Sequence, residues 1–495
     1  MLRINGGDVQ ASVIGEGANL GVTQRGRIEF AKKGGRLNAD FVDNSGGVDC
    51  SDHEVNIKIL LSSVMSKGKM KIEQRNKLLE KMEEEVSTLV LRNNYQQTQA
   101  ISLSEAKAAN YIETHGSLIR SLEKKSMLNR EVEFLPSEEE IQERVQNKKG
   151  LTRPELAILT SYSKIKLFND LLESDFINNE ALNESWLKTY FPTEIQKSYE
   201  KEILSHRLKN QIIATELAGS LVNRMGFAFV KMKMDKTGMS ADAIARAYVI
   251  VKEICDLNQY WAKIEALDNH IDTNIQYELL IDVTRLADRL INWFLLNDDG
   301  TESIDKIVVT YKPAMDILKQ SISSVLIGET KRSIQRRNRQ FEKAGIESAL
   351  AESLALLPVL GASFEMIRLS QESKADVLTV AKHYFVLGNR LSLDWIRDQG
   401  KLLKMDDYWQ AIAVNGMIDD LYSAQAYIIR QVIQDEKKAM KKGEEPKKII
   451  ARWMNGHETF VLQFDEHMAM MKRLNNINLA HLTIAAQKIR HLGDF

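Results

Sequence analysis

The sequence predicts a mainly α protein: a partial α/β segment at the N-terminus followed by a large irregular helical domain. Three observations carry that reading. Six prolines in 495 residues is far below the usual frequency of about 5%, which favours long uninterrupted helices. Ten of the 26 glycines fall within residues 1–50, so backbone freedom is concentrated there and the composition steps near residue 66. Beyond that step, helix-entrance signals recur.

In the first fifty residues, Val9 to Ile14 alternates and then turns apolar like a strand, running into Gly15-Glu16-Gly17-Ala18-Asn19. A short helix is expected from Thr23 to Lys33. Phe41-Val42 is a second strand candidate, entering Asn44-Ser45-Gly46-Gly47. This order of strand, glycine loop and helix, given twice, is Rossmann-like, and the expected domains are 1–66 and 67–495. The dinucleotide fingerprint G-x-G-x-x-G is not met, because Leu20 stands where the third glycine belongs, although Asp40 lies about where a ribose-binding acid would. Glycine loops at the carboxyl ends of parallel strands are nevertheless where ligands bind in open α/β sheets. Asn19 and Asn44 bring amides that both donate and accept, suited to ribose hydroxyls and a carboxamide; the same residues also close turns, and pattern alone leaves both readings open.

Asp49-Cys50-Ser51-Asp52-His53-Glu54 has the composition of a metal cluster but not the spacing, since consecutive residues point in different directions. A capping box fits better, with Ser51 as N-cap and Glu54 three residues on. The Ser51 hydroxyl can then still donate to a substrate carboxylate at a helix N-terminus. Lys58, seven residues on, reads either as a carboxylate partner or as a solvated lysine.

After residue 66, Ile72, Leu79 and Val86 recur every seven residues, predicting a helix over about 71–92. Ser137 with Glu140, Thr152 with Glu155 and Thr193 with Gln196 have capping-box spacing beside prolines. Further helices are expected over about 153–175, 205–225, 241–267, 273–296, 376–387 and 407–438. No repeat of fixed period occurs, which favours an irregular bundle over a solenoid. The lysine-rich stretch 435–448 reads as a linker, and its interspersed acids make it a solvated one. Histidines 115, 206, 270 and 383 stand apart from one another and read as packed or surface residues.

Composition narrows the function classes. Acidic and basic residues number 68 and 67, which disfavours a nucleic-acid or anionic-membrane binder. Cys50 and Cys255 match no zinc or disulfide framework, and no run of about 18 uncharged apolar residues occurs, so a soluble, cytoplasmic chain is expected.

Val13-Ile14-Gly15-Glu16-Gly17-Ala18-Asn19, followed by Asp43-Asn44-Ser45-Gly46-Gly47-Val48-Asp49-Cys50-Ser51-Asp52-His53-Glu54-Val55-Asn56-Ile57-Lys58, resembles the end of the cofactor domain of the large, NAD-specific glutamate dehydrogenases of bacteria. Smaller glutamate dehydrogenases share the skeleton, but Ser45 replaces their alanine and Asp52-His53-Glu54 their aromatic stretch. Gly150-Leu151-Thr152-Arg153-Pro154-Glu155-Leu156-Ala157, Ile212-Ile213-Ala214-Thr215 and Leu221-Val222-Asn223-Arg224-Met225-Gly226 extend the resemblance across most of the chain.

The resemblance implies oxidative deamination of L-glutamate to 2-oxoglutarate and ammonia with hydride transfer to NAD, in a homo-oligomer. It implies cofactor contacts from Gly17, Asn19, Asn44 and Gly46, with Asn19 at the nicotinamide ribose and Asn44 at the carboxamide. Ser51 would meet the distal carboxylate of glutamate. The family's fingerprint, substrate-binding lysines and catalytic acid do not occur in this sequence, so the chain reads as a carboxyl-terminal portion, inactive alone, that works with upstream catalytic domains. For residues 67–495, a second reading is a helical assembly or regulatory module without chemistry of its own, since no carboxylate pair, nucleophile-base set or metal spacing stands out there.

Overall fold

The computed structural model describes residues 3–403 and 408–493. It is 76% helical, and no strand forms among the described residues. The chain divides into two compact units, 1–248 and 249–495. No described helix is long and apolar enough to cross a membrane.

The head corrects the Rossmann-like expectation. Of the first predicted strand, only one isolated parallel bridge survives, Val13 to Arg36, closed by Ile14 N–H to Arg36 C=O at 2.9 Å and Arg36 N–H to Ser12 C=O at 3.0 Å. The second predicted strand is helical: Phe41 and Val42 lie in α2 (Asp40–Asp43). The reason is pairing. An extended segment is stabilised by a ladder on at least one side and a covered face, and the described residues offer Val9–Ile14 no neighbour beyond Arg36. The helix between them forms as expected, α1 (Gln24–Lys32), with Thr23 capping through its side chain to the Gly26 amide.

A second correction concerns Ser51. The helix after the second glycine loop is α3 (Ser45–Ser66), which starts two turns earlier than the capping box implied. Gly46 and Gly47 lie inside it, and Asn44 is its N-cap. Ser51 is therefore mid-helix and exposed, and caps nothing.

The rest of the first unit is helical. The stripe at Ile72, Leu79 and Val86 belongs to α4 (Ile72–Lys107), which packs antiparallel-fashion beside α3 and extends well past the expected end. After α5 (Ile112–Lys124) and α6 (Glu138–Gln146) comes α7 (Arg153–Leu172). Two of the three capping boxes form. Ser137 and Glu140 exchange hydrogen bonds at 2.9 and 3.2 Å, and the Thr152 amide donates to Glu155 at 2.6 Å. The third does not: Pro192 takes the N-cap position, and the Thr193 amide and hydroxyl instead donate to Glu85 on α4.

Helix α7 packs against Lys209–Met225 and against α4. Leu156, Ala157, Leu159 and Leu171 on α7 and Leu217 and Leu221 on its partner helix are all fully closed to solvent. Lys209–Met225 stops at Gly226, whose φ of +98° costs least without a side chain.

In the second unit, the helix expected over 241–267 is broken at Asp256 into Ala241–Cys255 and Leu257–Glu265; the first piece contains the unit boundary. Thr273–Asn297, Val377–Arg390 and Tyr408–Asp435 follow the sequence pattern closely. Val377–Arg390 is central, touching Ser363–Ser373, Tyr408–Asp435 and Pro446–Asn455. The lysine-rich stretch 435–448 holds a short helix, Lys437–Lys441, and a turn through Gly443. His115, His206 and His383 are buried, and His270 is exposed.

Candidate functional site

The two glycine loops come together. Asn44 Nδ2 donates to Asn19 Oδ1 at 3.0 Å, so the amides singled out in the sequence form one pair at the mouth of the first loop, beside the N-terminus of α3. The bond leaves the Asn19 NH₂ group and the Asn44 carbonyl oxygen for a ligand, one donor set and one acceptor. Gly17 is exposed, and a Cβ there would meet nothing within 4 Å. Gly46 is half-buried, its missing Cβ 3.4 Å from Val90 on α4. The backbone is therefore open at Gly17, while Gly46 packs against α4 beside the Asn19–Asn44 pair.

What holds these loops is a buried ion triad that no sequence pattern flagged. Glu16, between Gly15 and Gly17, accepts from Arg27 on α1 at 2.5 and 3.0 Å, and Arg27 also pairs with Asp40 at 3.1 Å. All three residues are under a tenth exposed. Glu16 further accepts from the Val22 amide at 2.9 Å, and Asp40 from the Leu20 amide at 2.9 Å, where Leu20 takes a positive φ of 61°. Burial works against the charge on Arg27, but Glu16 and Asp40 more than offset it and hold the guanidinium above its usual value. Burial likewise pushes the Asp40 carboxyl up, yet the Leu20 amide and Arg27 outweigh it and hold it below the usual range. Asp40 is therefore committed inside the loop, in keeping with a fingerprint that the sequence does not meet. Asp43 completes the frame: it accepts from the Glu16 amide at 3.0 Å and from Asn38 at 2.7 Å.

The frame is fastened to the helices by the Thr-Arg-Pro-Glu segment that opens α7. Arg153 donates twice to Asn38, at 3.1 and 2.8 Å, and also reaches Ser102 and Glu105 on α4. Glu155 is held by both Arg144 nitrogens at 2.8 and 2.7 Å. On α4, Asn94 donates to the Val42 carbonyl and to Ser45 Oγ, both at 2.8 Å.

Helix α3 has two unlike sides. Ser51 faces outward with Val48 and Val55, which are 74% and 48% exposed. Lys58 pairs on that side with Glu54. The inward side is polar over its first half, whereas the second half buries Ile57, Leu60, Leu61 and Val64. Asp49 accepts from Asn93 at 2.9 Å and sits 3.9 Å from His53, which stacks on Tyr190. The Tyr190 hydroxyl donates to Asp52 at 2.8 Å and accepts from Asn56 at 2.9 Å. Nearby, Lys164 on α7 donates to Gln97 at 2.8 Å. Burial pushes the Lys164 ammonium down to about 8, against the pull of Asp49 and Glu216, raises Asp49, and lowers His53 despite Asp49 and Asp52.

The geometry can receive a polar ligand at paired amides over open backbone, with Ser51 about two turns along the same helix. Residues 148–491 match the family model described as glutamate dehydrogenase, C-terminal, and residues 1–104 that of the bacterial NAD-glutamate dehydrogenase catalytic domain. The chain is 40% identical over 457 residues to the NAD-specific glutamate dehydrogenase of Halomonas elongata, covering 92% of this chain and 28% of that protein. It is 38% identical over 496 residues to the protein of the same name from Pseudomonas aeruginosa and 33% over 491 residues to that of Mycobacterium tuberculosis, covering 30% of each. The chain spans about 30% of the length of the curated relatives it matches.

Proposed function

The chain belongs to the glutamate dehydrogenase family defined by its C-terminal region, and from that premise we propose that residues 1–66 complete the NAD- and glutamate-binding cleft of an NAD-dependent glutamate dehydrogenase. The reaction is L-glutamate, NAD and water going to 2-oxoglutarate, ammonia and NADH. The observation that carries this reading is the Asn44–Asn19 hydrogen bond of 3.0 Å, because it sets one free donor group and one free acceptor side by side over glycines. Those are the groups that a ribose hydroxyl and a carboxamide require.

NAD accepts the hydride from the substrate Cα when bound. The chain's own residues bind and orient. Asn19 donates to the nicotinamide ribose, and Asn44 accepts from the carboxamide while its own NH₂ stays committed to Asn19. Gly17 leaves room for close approach of the cofactor, and Gly46 offers its backbone at the start of α3. Ser51, exposed on α3, donates its hydroxyl to the distal carboxylate of glutamate. Proton transfer and the remaining substrate contacts come from upstream catalytic domains of the same protein. Exposed apolar side chains on the same segments, Val13, Leu20, Phe41, Val48 and Val55, supply a surface for those domains to cover. The helical remainder braces the cleft through Arg153 and Asn94, in a cytoplasmic homo-oligomer.

The test is Asn44→Ala in the complete enzyme. Loss of an amide that both holds Asn19 and accepts from the cofactor should raise the KM for NAD about tenfold or more, at roughly 1 to 3 kcal/mol, and change the glutamate KM less. An unchanged NAD KM would remove Asn44 from the cofactor site.

A further inference from the structure

Within the second unit, a cavity of about 30 Å³ opens between Val377–Arg390, Leu393–Leu402 and Tyr408–Asp435. That is room for one water or one monatomic ion. Its polar wall is built from Arg397, Tyr384, Gln425 and Asp394, and its apolar wall from Pro358 and Ala362.

The polar wall is tightly fixed. Arg397 places its Cζ over the Tyr422 ring, 3.8 Å from the centroid. It donates to Gln425 at 2.6 Å and to Asp394 at 3.2 Å. Gln425 in turn donates to the Tyr384 carbonyl at 2.8 Å. Gly388 permits this, since a Cβ there would stand 2.8 Å from the Gln425 amide nitrogen. Two groups on this wall are left over: Arg397 Nε and the Tyr384 hydroxyl are buried and find no partner among the described residues. Arg397 is 5% exposed and Tyr384 2%.

The leftover groups define a chemistry. Arg Nε–H only donates, and a phenol beside a guanidinium donates most readily. Buried donors without acceptors are costly. Asp394 does not neutralise Arg397 alone, because it also accepts from Thr330 and is partly exposed. A water could accept from both donors, but its own two hydrogens would face carbon on one side and, on the other, Asp394 and Gln425 oxygens that already accept from Thr330 and Arg397. An anion brings none and offsets the guanidinium charge as well. We propose that this cavity is a binding site for one small monovalent anion of chloride size, held by Arg397 Nε–H and the Tyr384 hydroxyl. The site does not depend on the cofactor reading of the head.

Bromide tests it directly. In crystals of the 495-residue chain exchanged into sodium bromide, an anomalous-scattering peak is expected in the cavity, within hydrogen-bonding distance of Arg397 Nε and Tyr384 Oη. An ordered water with no anomalous signal there would overturn the proposal. In solution, chloride should raise Tm saturably relative to gluconate at equal ionic strength. Tyr384→Phe, which keeps the ring, should weaken the apparent chloride affinity about tenfold or more. Equal stabilisation by chloride and gluconate in the unaltered chain would also overturn it.

Discussion

Replacing Arg27 by methionine tests whether the ion triad holds the glycine loops. The change keeps most of the aliphatic bulk and removes the charge that faces Glu16 and Asp40, leaving two buried carboxylates without their cation. Breaking a buried pair by removing one partner costs about 3 to 5 kcal/mol. The low end is expected here, because Asp40 keeps the Leu20 and Phe41 amides and Glu16 keeps the Val22 amide. For a unit of this size, about 3 kcal/mol lowers Tm by roughly 6 to 12 °C. The deficit depends on pH with a definite sign. Asp40 has a depressed folded pKa, so its share of stability is full above the unfolded value near 4 and disappears as pH falls through the folded value. Wild type and Arg27→Met should therefore converge in strong acid. Glu16→Gln added to Arg27→Met removes one stranded charge and should recover part of the loss. In the complete enzyme the single variant should also raise the NAD KM, since residues 16–22 lose their anchor. A Tm within about 2 °C of wild type together with an unchanged NAD KM would refute the reasoning.

Two more predictions concern the same unit and a third the whole chain. Ser51→Asp should leave stability nearly unchanged, because Ser51 is exposed and mid-helix, yet should raise the glutamate KM at least tenfold through repulsion of the substrate carboxylate; a wild-type KM would take Ser51 out of the substrate site. Lys164→Met should flatten the pH dependence of stability in alkaline solution: with a folded pKa of about 8 against about 10.4 unfolded, the unfolded chain binds more protons between those values, so wild type gains stability as pH rises. The difference, about 2 to 3 kcal/mol after solvent screening, reads out as urea midpoints at pH 7.5 and 10, and parallel midpoints would dismiss the buried-ammonium account. The 495-residue chain alone should form no NADH from glutamate and NAD, because productive geometry needs a substrate held against the nicotinamide; measurable turnover would contradict the division of labour proposed with upstream domains.

Much of the helical architecture was legible, because amphipathic spacing and capping are local properties. Ser137 with Glu140 and Thr152 with Glu155 announce α6 and α7 within four residues. The failures are of a different kind. Thr193 has the right neighbours but finds Glu85, over a hundred residues away, a better acceptor. Phe41-Val42 has strand-forming side chains, but a strand exists only if another lies alongside, and that is not a property of two residues. Ser51 looked like a helix start because its composition fits one, while the chain had already begun its helix at Ser45 with two glycines inside it, where propensity argues against one. In the candidate site, Asn19 and Asn44 stand out because their amides both donate and accept, and the fold pairs them with each other. The pairing of Arg27 with Glu16 and Asp40 was not legible, since charged residues on short helices and loops are ordinarily solvated and only the folded loop buries them. Arg153 was visible as part of a motif, but its partner Asn38 is 115 residues away.

The polar inward side of α3 has a consequence for how that helix can vary. A helix seated on an oily stripe can rotate or slide by part of a turn and find new contacts of similar worth. Helix α3 has such a stripe only in its second half, at Ile57, Leu60, Leu61 and Val64; its first half is held through Asn93 to Asp49, Tyr190 to Asp52 and Asn56 to Tyr190 and cannot slide in that way, because each bond is directional and a small displacement strands the buried Asn56 and Tyr190 together. The outward face thereby inherits a fixed angular setting. Apolar replacements on the inward side, Asn56→Leu with Tyr190→Phe for example, can pack well and even add stability, yet they free the register of the whole rod. Drift in this family should accordingly be tolerated on the solvent side of α3 more readily than an oilier underside, even where the oilier protein melts higher.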